Sequence, residues 1–190
     1  MLEEGRVAHL CIDMQNLVAE AGPWETPWSQ RILPAVVALC ERYSDRTIFT
    51  RFVPPPRTED APGRWQAFYR KWPQVAGENV GGGMLDLMPP LSSFVPPAVV
   101  LDKTTYSAFS NPQLVAQLRQ WQVGSLIISG IETDVCVLAT ALSAVDFGFG
   151  VVIPLDAICS SADIGHDSII AIFKTRFSQQ IKAVSCSNLL

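Results

Sequence analysis

Apolar positions along the chain follow two alternating rhythms. Short continuous apolar runs recur at "VAHLCID" (7–13), "TIFTR" (47–51), "AVVLDK" (98–103), "SLIISG" (125–130), "VVIPL" (151–155) and "IKAV" (181–184). Between them, apolar residues return at helical intervals in "ILPAVVALCERY" (32–43), "QLVAQLRQWQ" (113–122), the stretch after residue 130, and "HDSIIAIFKTRF" (166–177). Runs apolar at consecutive positions suit strands covered on both faces, and strands alternating with amphipathic helices build a parallel sheet. The pattern predicts a three-layer α/β/α domain with a six-stranded, mainly parallel sheet, residues 1–190 forming one domain. Asn111-Pro112 reads as a helix start, with Asn as the cap and Pro at the first helical position.

One stretch breaks the rhythm. Residues 52–97 hold nine of the fourteen prolines and the triplet Gly81-Gly82-Gly83. So long and irregular a crossover is uncommon and usually covers or lines a site. Within it, "GRWQAFYRKW" (63–72) places Trp65, Phe68, Tyr69 and Trp72 at helical spacing. Such a stripe packs aromatics on the core, walls a substrate pocket, or does both. The glycine triplet is no dinucleotide fingerprint, because no strand immediately precedes it.

Composition narrows the class. With 48% apolar and 17% charged residues, the chain reads as compact and soluble, not disordered. A net charge of −4 gives no general attraction to nucleic acid or anionic membrane. No apolar run approaches the roughly 18 residues of a membrane span, and the start "MLEEGRVAHLCID" lacks a signal-peptide layout. Five cysteines without a C-x-x-C pair do not make a disulfide framework, so a cytoplasmic setting is expected.

Ligands of parallel α/β sheets bind beyond the carboxyl ends of the strands. There the first run ends in Asp13, the third in Lys103, and the fourth leads through Gly130 to Cys136. Each residue has an ordinary reading alone: a turn-capping Asp, a solvated Lys, a core Cys. Together they put a base, a cation and a nucleophile at one edge. A thiol at a helix N-terminus beside a lysine is expected to have a lowered pKa. A carboxylate can take its proton and return it to a leaving group, and backbone N–H groups around "GIET" and Cys136 would face an oxyanion.

These residues carry a resemblance. "CIDMQN" (11–16), "TRF" (50–52), "KTTYSAF" (103–109), "GIETDVCVLATALSA" (130–144) and "VVIPLDAICS" (151–160) are similar, in order and spacing, to motifs of the isochorismatase-like cysteine hydrolases. The resemblance implies an Asp13–Lys103–Cys136 triad. It further implies a cis peptide before Glu132 and an oxyanion hole from the N–H groups of Glu132 and Cys136. Family members cleave C–N bonds in small amides, carbamoyl or ureido compounds, or the vinyl ether of isochorismate, and many are dimers or tetramers. The metal-binding nicotinamidase branch has an Asp-x-His motif after the second strand. Here that region reads "TRFVPPPRTED", and the only histidines are His9 and His166. No His-held metal and no cofactor are therefore expected.

The resulting expectation is a hydrolase of a small-molecule C–N bond acting through a thioester. The alternatives are an isochorismatase-type ether hydrolase and a non-catalytic binding module. Arg51, Trp65 and Tyr106 are candidate substrate contacts, Arg51 reading equally well as a paired surface arginine. Thr133 is a candidate cap for the Cys136 helix. Asp134 and Asp156 read as structural, His166 as a helix-surface residue, and Cys11, Cys40, Cys159 and Cys186 as packing or surface residues.

Overall fold

The computed structural model describes residues 6–19 and 21–190. The first five residues, on which the leader reading partly rests, and Glu20 lie outside that range. In chain order the strands are β1 (Arg6–Ile12), β2 (Thr47–Phe52), β3 (Val99–Lys103), β4 (Val123–Ile131), β5 (Gly150–Pro154), β6 (Ile158–Cys159) and β7 (Ile181–Val184). Six of them lie in the order β3-β2-β1-β4-β5-β7, and every pairing is parallel. The seventh, β6, continues the ladder beside the end of β4, pairing Gly130 with Ile158. Two residues are too few to stand out as an apolar run, so the pattern predicts six strands where the sheet has seven.

Among the described residues, six helices accompany the sheet: α1 (Ser29–Arg42), α2 (Trp65–Lys71), α3 (Pro89–Ser92), α4 (Pro112–Gln120), α5 (Leu138–Asp146) and α6 (Asp163–Thr175). Strand side chains alternate between faces, and the two faces bury different partners. Cys11, Phe49, Ile127 and Val152 pack with Ile32, Val36 and Leu39 of α1 and Leu91 of α3. Leu10, Ile12, Ile48, Leu126 and Ile128 pack with Leu114 of α4, Ala141 of α5 and Phe173 of α6. That double burial is why the strands read as continuous apolar runs. α4 starts as its sequence dictates: the Asn111 side chain accepts from the Gln113 N–H at 2.9 Å, with Pro112 at the first turn. Such a cap is worth about 1 kcal/mol.

The connection between β2 and β3 contains α2, α3 and three single 3₁₀ turns. It carries a small core of its own, Ala61, Tyr69 and Ala76 with Phe52, against which Trp65 and Phe68 pack. Residues 15–17 fasten it to the sheet. Gln15 accepts from the Phe52 N–H at 2.7 Å and donates to the carbonyls of Phe52 and Leu85, at 3.2 and 2.9 Å. The backbone N–H groups of Asn16 and Leu17 donate to Asp86 and Met84. Strand order reverses between β1 and β4, and a crevice opens at such a switch point.

Candidate active site

Asp13 follows directly on β1, in a left-handed conformation with φ of 52°. An Asp tolerates that region better than most residues, at a cost on the order of 1 kcal/mol. Thr50 of β2 holds it there: the Asp13 N–H meets both the Thr50 carbonyl and its Oγ1 at 3.2 Å, and that hydroxyl donates to Asp13 Oδ1 at 2.7 Å. The other carboxylate oxygen, Oδ2, faces Lys103 Nζ at 2.6 Å. Lys103 ends β3, and its ammonium also donates to the Thr105 carbonyl at 3.0 Å and to Cys136 Sγ at 3.5 Å. One cation therefore touches both the carboxylate and the thiol.

Cys136 belongs to a π-helical turn, Thr133–Val137, that leads from β4 into α5. The sequence reads as a plain helix start here; the structure shows the wider turn, closed by the Val137 N–H donating to the Glu132 carbonyl at 3.0 Å. Gly130 sets the approach. It has φ of 111°, and any Cβ there would overlap the Ile12 carbonyl oxygen of β1. A glycine lets β4 run against the very end of β1, which brings the residues that follow it close to Asp13. The Ile131–Glu132 peptide is cis.

The thiol departs from its expected acidity. Burial raises the Cys136 pKa, Asp13 raises it again, and Lys103 offsets only part of the rise. A helix N-terminus and a lysine suggest a thiolate, but the lysine is already paired with a carboxylate. In the resting site the proton stays on sulfur. Lys103 remains charged: burial alone would depress it, while Asp13 and Cys136 together hold its pKa above the ordinary lysine range.

Asp13 and Cys136 line a cavity of about 150 Å³. Its walls are mostly apolar: Leu17, Val18 and Trp24 on one segment, Phe52 at the end of β2, Phe68 from the crossover, Tyr106, and Ile131 and Val135 beside the cysteine, with Gln15 and Thr26 among them. Of the candidate substrate contacts, Tyr106 lines this cavity. Trp65 does not; it supports Tyr106 with ring centroids 4.7 Å apart. Arg51 is committed elsewhere, in a two-pronged ion pair with Asp102 at 2.7 and 2.9 Å, with Asp86 3.8 Å away. It holds neighbouring strand ends together and is not in the wall.

Thr133 does not cap the turn; its hydroxyl meets His166 Nδ1 at 2.9 Å and ties α6 to the cysteine turn. Asp134 accepts from Ser160 Oγ at 2.7 Å, and Asp156 from the Cys186 N–H at 2.7 Å, both structural. His9 is buried in the sheet, with Nε2 2.8 Å from Ser129 Oγ. Cys11, Cys40, Cys159 and Cys186 are buried, whereas Cys136 is partly exposed. Sequence reading misses Trp24 and Thr26, which lie in "AGPWETPW", a proline-broken stretch with no periodicity. Gln15 had a signal, its place in "CIDMQN", but no chemistry to flag it.

Comparison with known proteins places the chain in a family and matches its fold. The family profile described as Isochorismatase domain matches residues 7–184. An isochorismatase family protein of Bacillus subtilis (strain 168), PncA, is 36% identical over 86 residues, 45% of this chain and 47% of its own length. The chain thus matches about half the length of that relative. Among solved structures, an isochorismatase family protein from Desulfovibrio vulgaris superposes with a TM-score of 0.81 at 22% identity, covering 98% of this chain and 97% of that one. The nicotinamidase SaPncA of Staphylococcus aureus superposes with a TM-score of 0.72 at 22% identity, covering 94% and 98%. These structures share the fold. With the profile running from Val7 in β1 to the end of β7, the chain belongs to the isochorismatase family.

Proposed function

We propose that the protein is a cysteine hydrolase that cleaves a C–N bond in a small amide, carbamoyl or ureido compound through a thioester on Cys136. The observation that carries this is the position of Lys103 Nζ, 2.6 Å from Asp13 and 3.5 Å from Cys136 Sγ, at the edge of a mostly apolar pocket. A neutral resting thiol fits a mechanism in which proton and nucleophile move together. As Sγ attacks the carbonyl carbon, its proton passes to Asp13, and Lys103 shields the charge on sulfur. The N–H groups of Glu132 and Cys136 are the proposed donors to the oxyanion. When the C–N bond breaks, Asp13 gives the proton to the leaving nitrogen and the acyl group stays on sulfur. Asp13 then takes a proton from water as it attacks the thioester. The acid product leaves and the thiol is restored.

The test is a screen of small amides, carbamoyl compounds and ureides for ammonia or amine release, with intact-mass spectrometry on quenched reactions. Turnover with an acyl adduct on the Cys136 peptide, both lost in Cys136→Ala, is the expected result. Turnover that survives Cys136→Ala would overturn the thioester route. Brief, limiting iodoacetamide should label Cys136 first, because the other four thiols are buried; preferential labelling of Cys40 or Cys159 would count against it.

A further inference from the structure

Several polar side chains that the hydrolytic chemistry does not use line the pocket, and one of them, buried, has no partner. Thr26 is 1% exposed and lines the cavity, yet its hydroxyl has no hydrogen-bond partner among the described residues. Its backbone is fully engaged: the N–H donates to Val18 at 3.0 Å, and the carbonyl accepts from Ser29 at 2.9 Å. The backbone is therefore held in place while the hydroxyl oxygen is left over. A buried hydroxyl without a partner costs roughly 1–3 kcal/mol, and a ligand that satisfies it recovers that loss.

The charges around it restrict the ligand. Among the described residues that line the cavity there is no lysine or arginine. Asp13 is neutralised by Lys103, Glu132 accepts from the Ser161 N–H at 2.9 Å, and Arg51 is bound to Asp102. A carboxylate buried here would be desolvated with no cation to meet it. A space of about 150 Å³ suits a body the size of benzene.

We infer that Thr26 is a specificity-determining residue: its hydroxyl binds a polar substituent on the apolar ring or chain of an uncharged amide, and the pocket rejects anionic substrates. This rests on the hydrolase reading above and deepens it. Selectivity of this kind is strong because a site built around a hydrogen bond penalises the analogue that lacks it.

The experiment compares 3- and 4-hydroxybenzamide with the isosteric 3- and 4-methylbenzamide and with 3- and 4-carbamoylbenzoate. Each is measured on wild type, Thr26→Val and Thr26→Ser, by kcat/KM for ammonia release. Affinities are measured in parallel by calorimetry on Cys136→Ala with and without Thr26→Val. For at least one ring position, wild type should prefer hydroxyl to methyl about tenfold or more. Thr26→Val should bring that ratio near one, and Thr26→Ser should keep it. The carbamoylbenzoates should be the poorest of the set. A hydroxyl preference below twofold at both positions, a preference unchanged in Thr26→Val, or better use of the carbamoylbenzoates would overturn the inference. The binding arm separates the two readings. Hydroxyl-selective binding without turnover of any compound here or in the screen above would uphold Thr26 while sinking the hydrolase, whereas binding of none of the uncharged amides would sink the Thr26 inference.

Discussion

Asp13 has opposing effects on the same sulfur. Its charge raises the Cys136 pKa, so it keeps the nucleophile protonated, yet in the proposed cycle it is the base that removes the proton. This predicts a split between two measurements on Asp13→Asn. Without the negative charge, Lys103 acts on the thiol unopposed, so Cys136 should ionise at lower pH and alkylation near neutral pH should speed up. Turnover should nonetheless fall by about 10²–10⁴-fold, the usual cost of losing general acid–base catalysis. Lys103→Met should raise the thiol pKa further and slow alkylation. The check is the pH dependence of Cys136 alkylation in wild type and both variants, with melting temperature recorded to confirm folding. A turn-capping Asp and a solvated Lys would leave three superimposable profiles, and that result would remove the triad.

At the level of elements, the site depends on how closely β4 passes the end of β1. Gly130→Ala would drive a Cβ into Ile12 backbone at a φ of 111°, and strand backbone cannot step aside as a side chain can. Destabilisation of at least about 2 kcal/mol in urea is expected, against less than about 0.5 for Gly82→Ala, where a Cβ meets open space. Equal effects would show that the close approach does not matter. The strands and α4 were legible in the sequence because each is stated locally, by a continuous apolar run or by the Asn111-Pro112 cap. Asp13, Lys103 and Cys136 were legible because strand ends in a parallel sheet converge. The cavity wall was not. Trp24 and Thr26 are placed by hydrogen bonds that their N–H groups donate to the carbonyls of Leu17 and Val18, contacts that leave no period in the chain. Arg51 misled because charge at a strand end looks alike whether it faces a ligand or a neighbouring strand's Asp102. The thiol's acidity was misjudged because the Lys103–Asp13 pairing had to be seen before its net effect could be summed.

For the whole molecule, the centre of the sheet is sensitive to acid. His9 on β1 lies between Thr47 of β2, at 3.3 Å, and Ser129 of β4, at 2.8 Å, and burial lowers its pKa to about 3. Between pH 6.5 and 3 the unfolded chain would take up a proton that the folded one refuses. The stability is therefore complete above about pH 6.5 and drains away as pH falls toward 3. By pH 4.5 the loss from this group should be roughly 2–3 kcal/mol. His9→Gln, which can still hydrogen-bond but does not titrate, should lose less stability between pH 7.5 and 4.5 than wild type in urea unfolding. Identical losses would show that His9 is not the acid-sensitive group. The same sheet separates two inheritances. The side chains proposed to react are borne by strand ends and the turn after β4, whereas much of the wall hangs from two loops that meet at residues 15–17, with Gln15 as the rivet. Substrate preference can thus be exchanged as a cassette: loops transplanted from a relative onto this scaffold, with Gln15 and its partners kept, would bring a new clientele to unchanged chemistry.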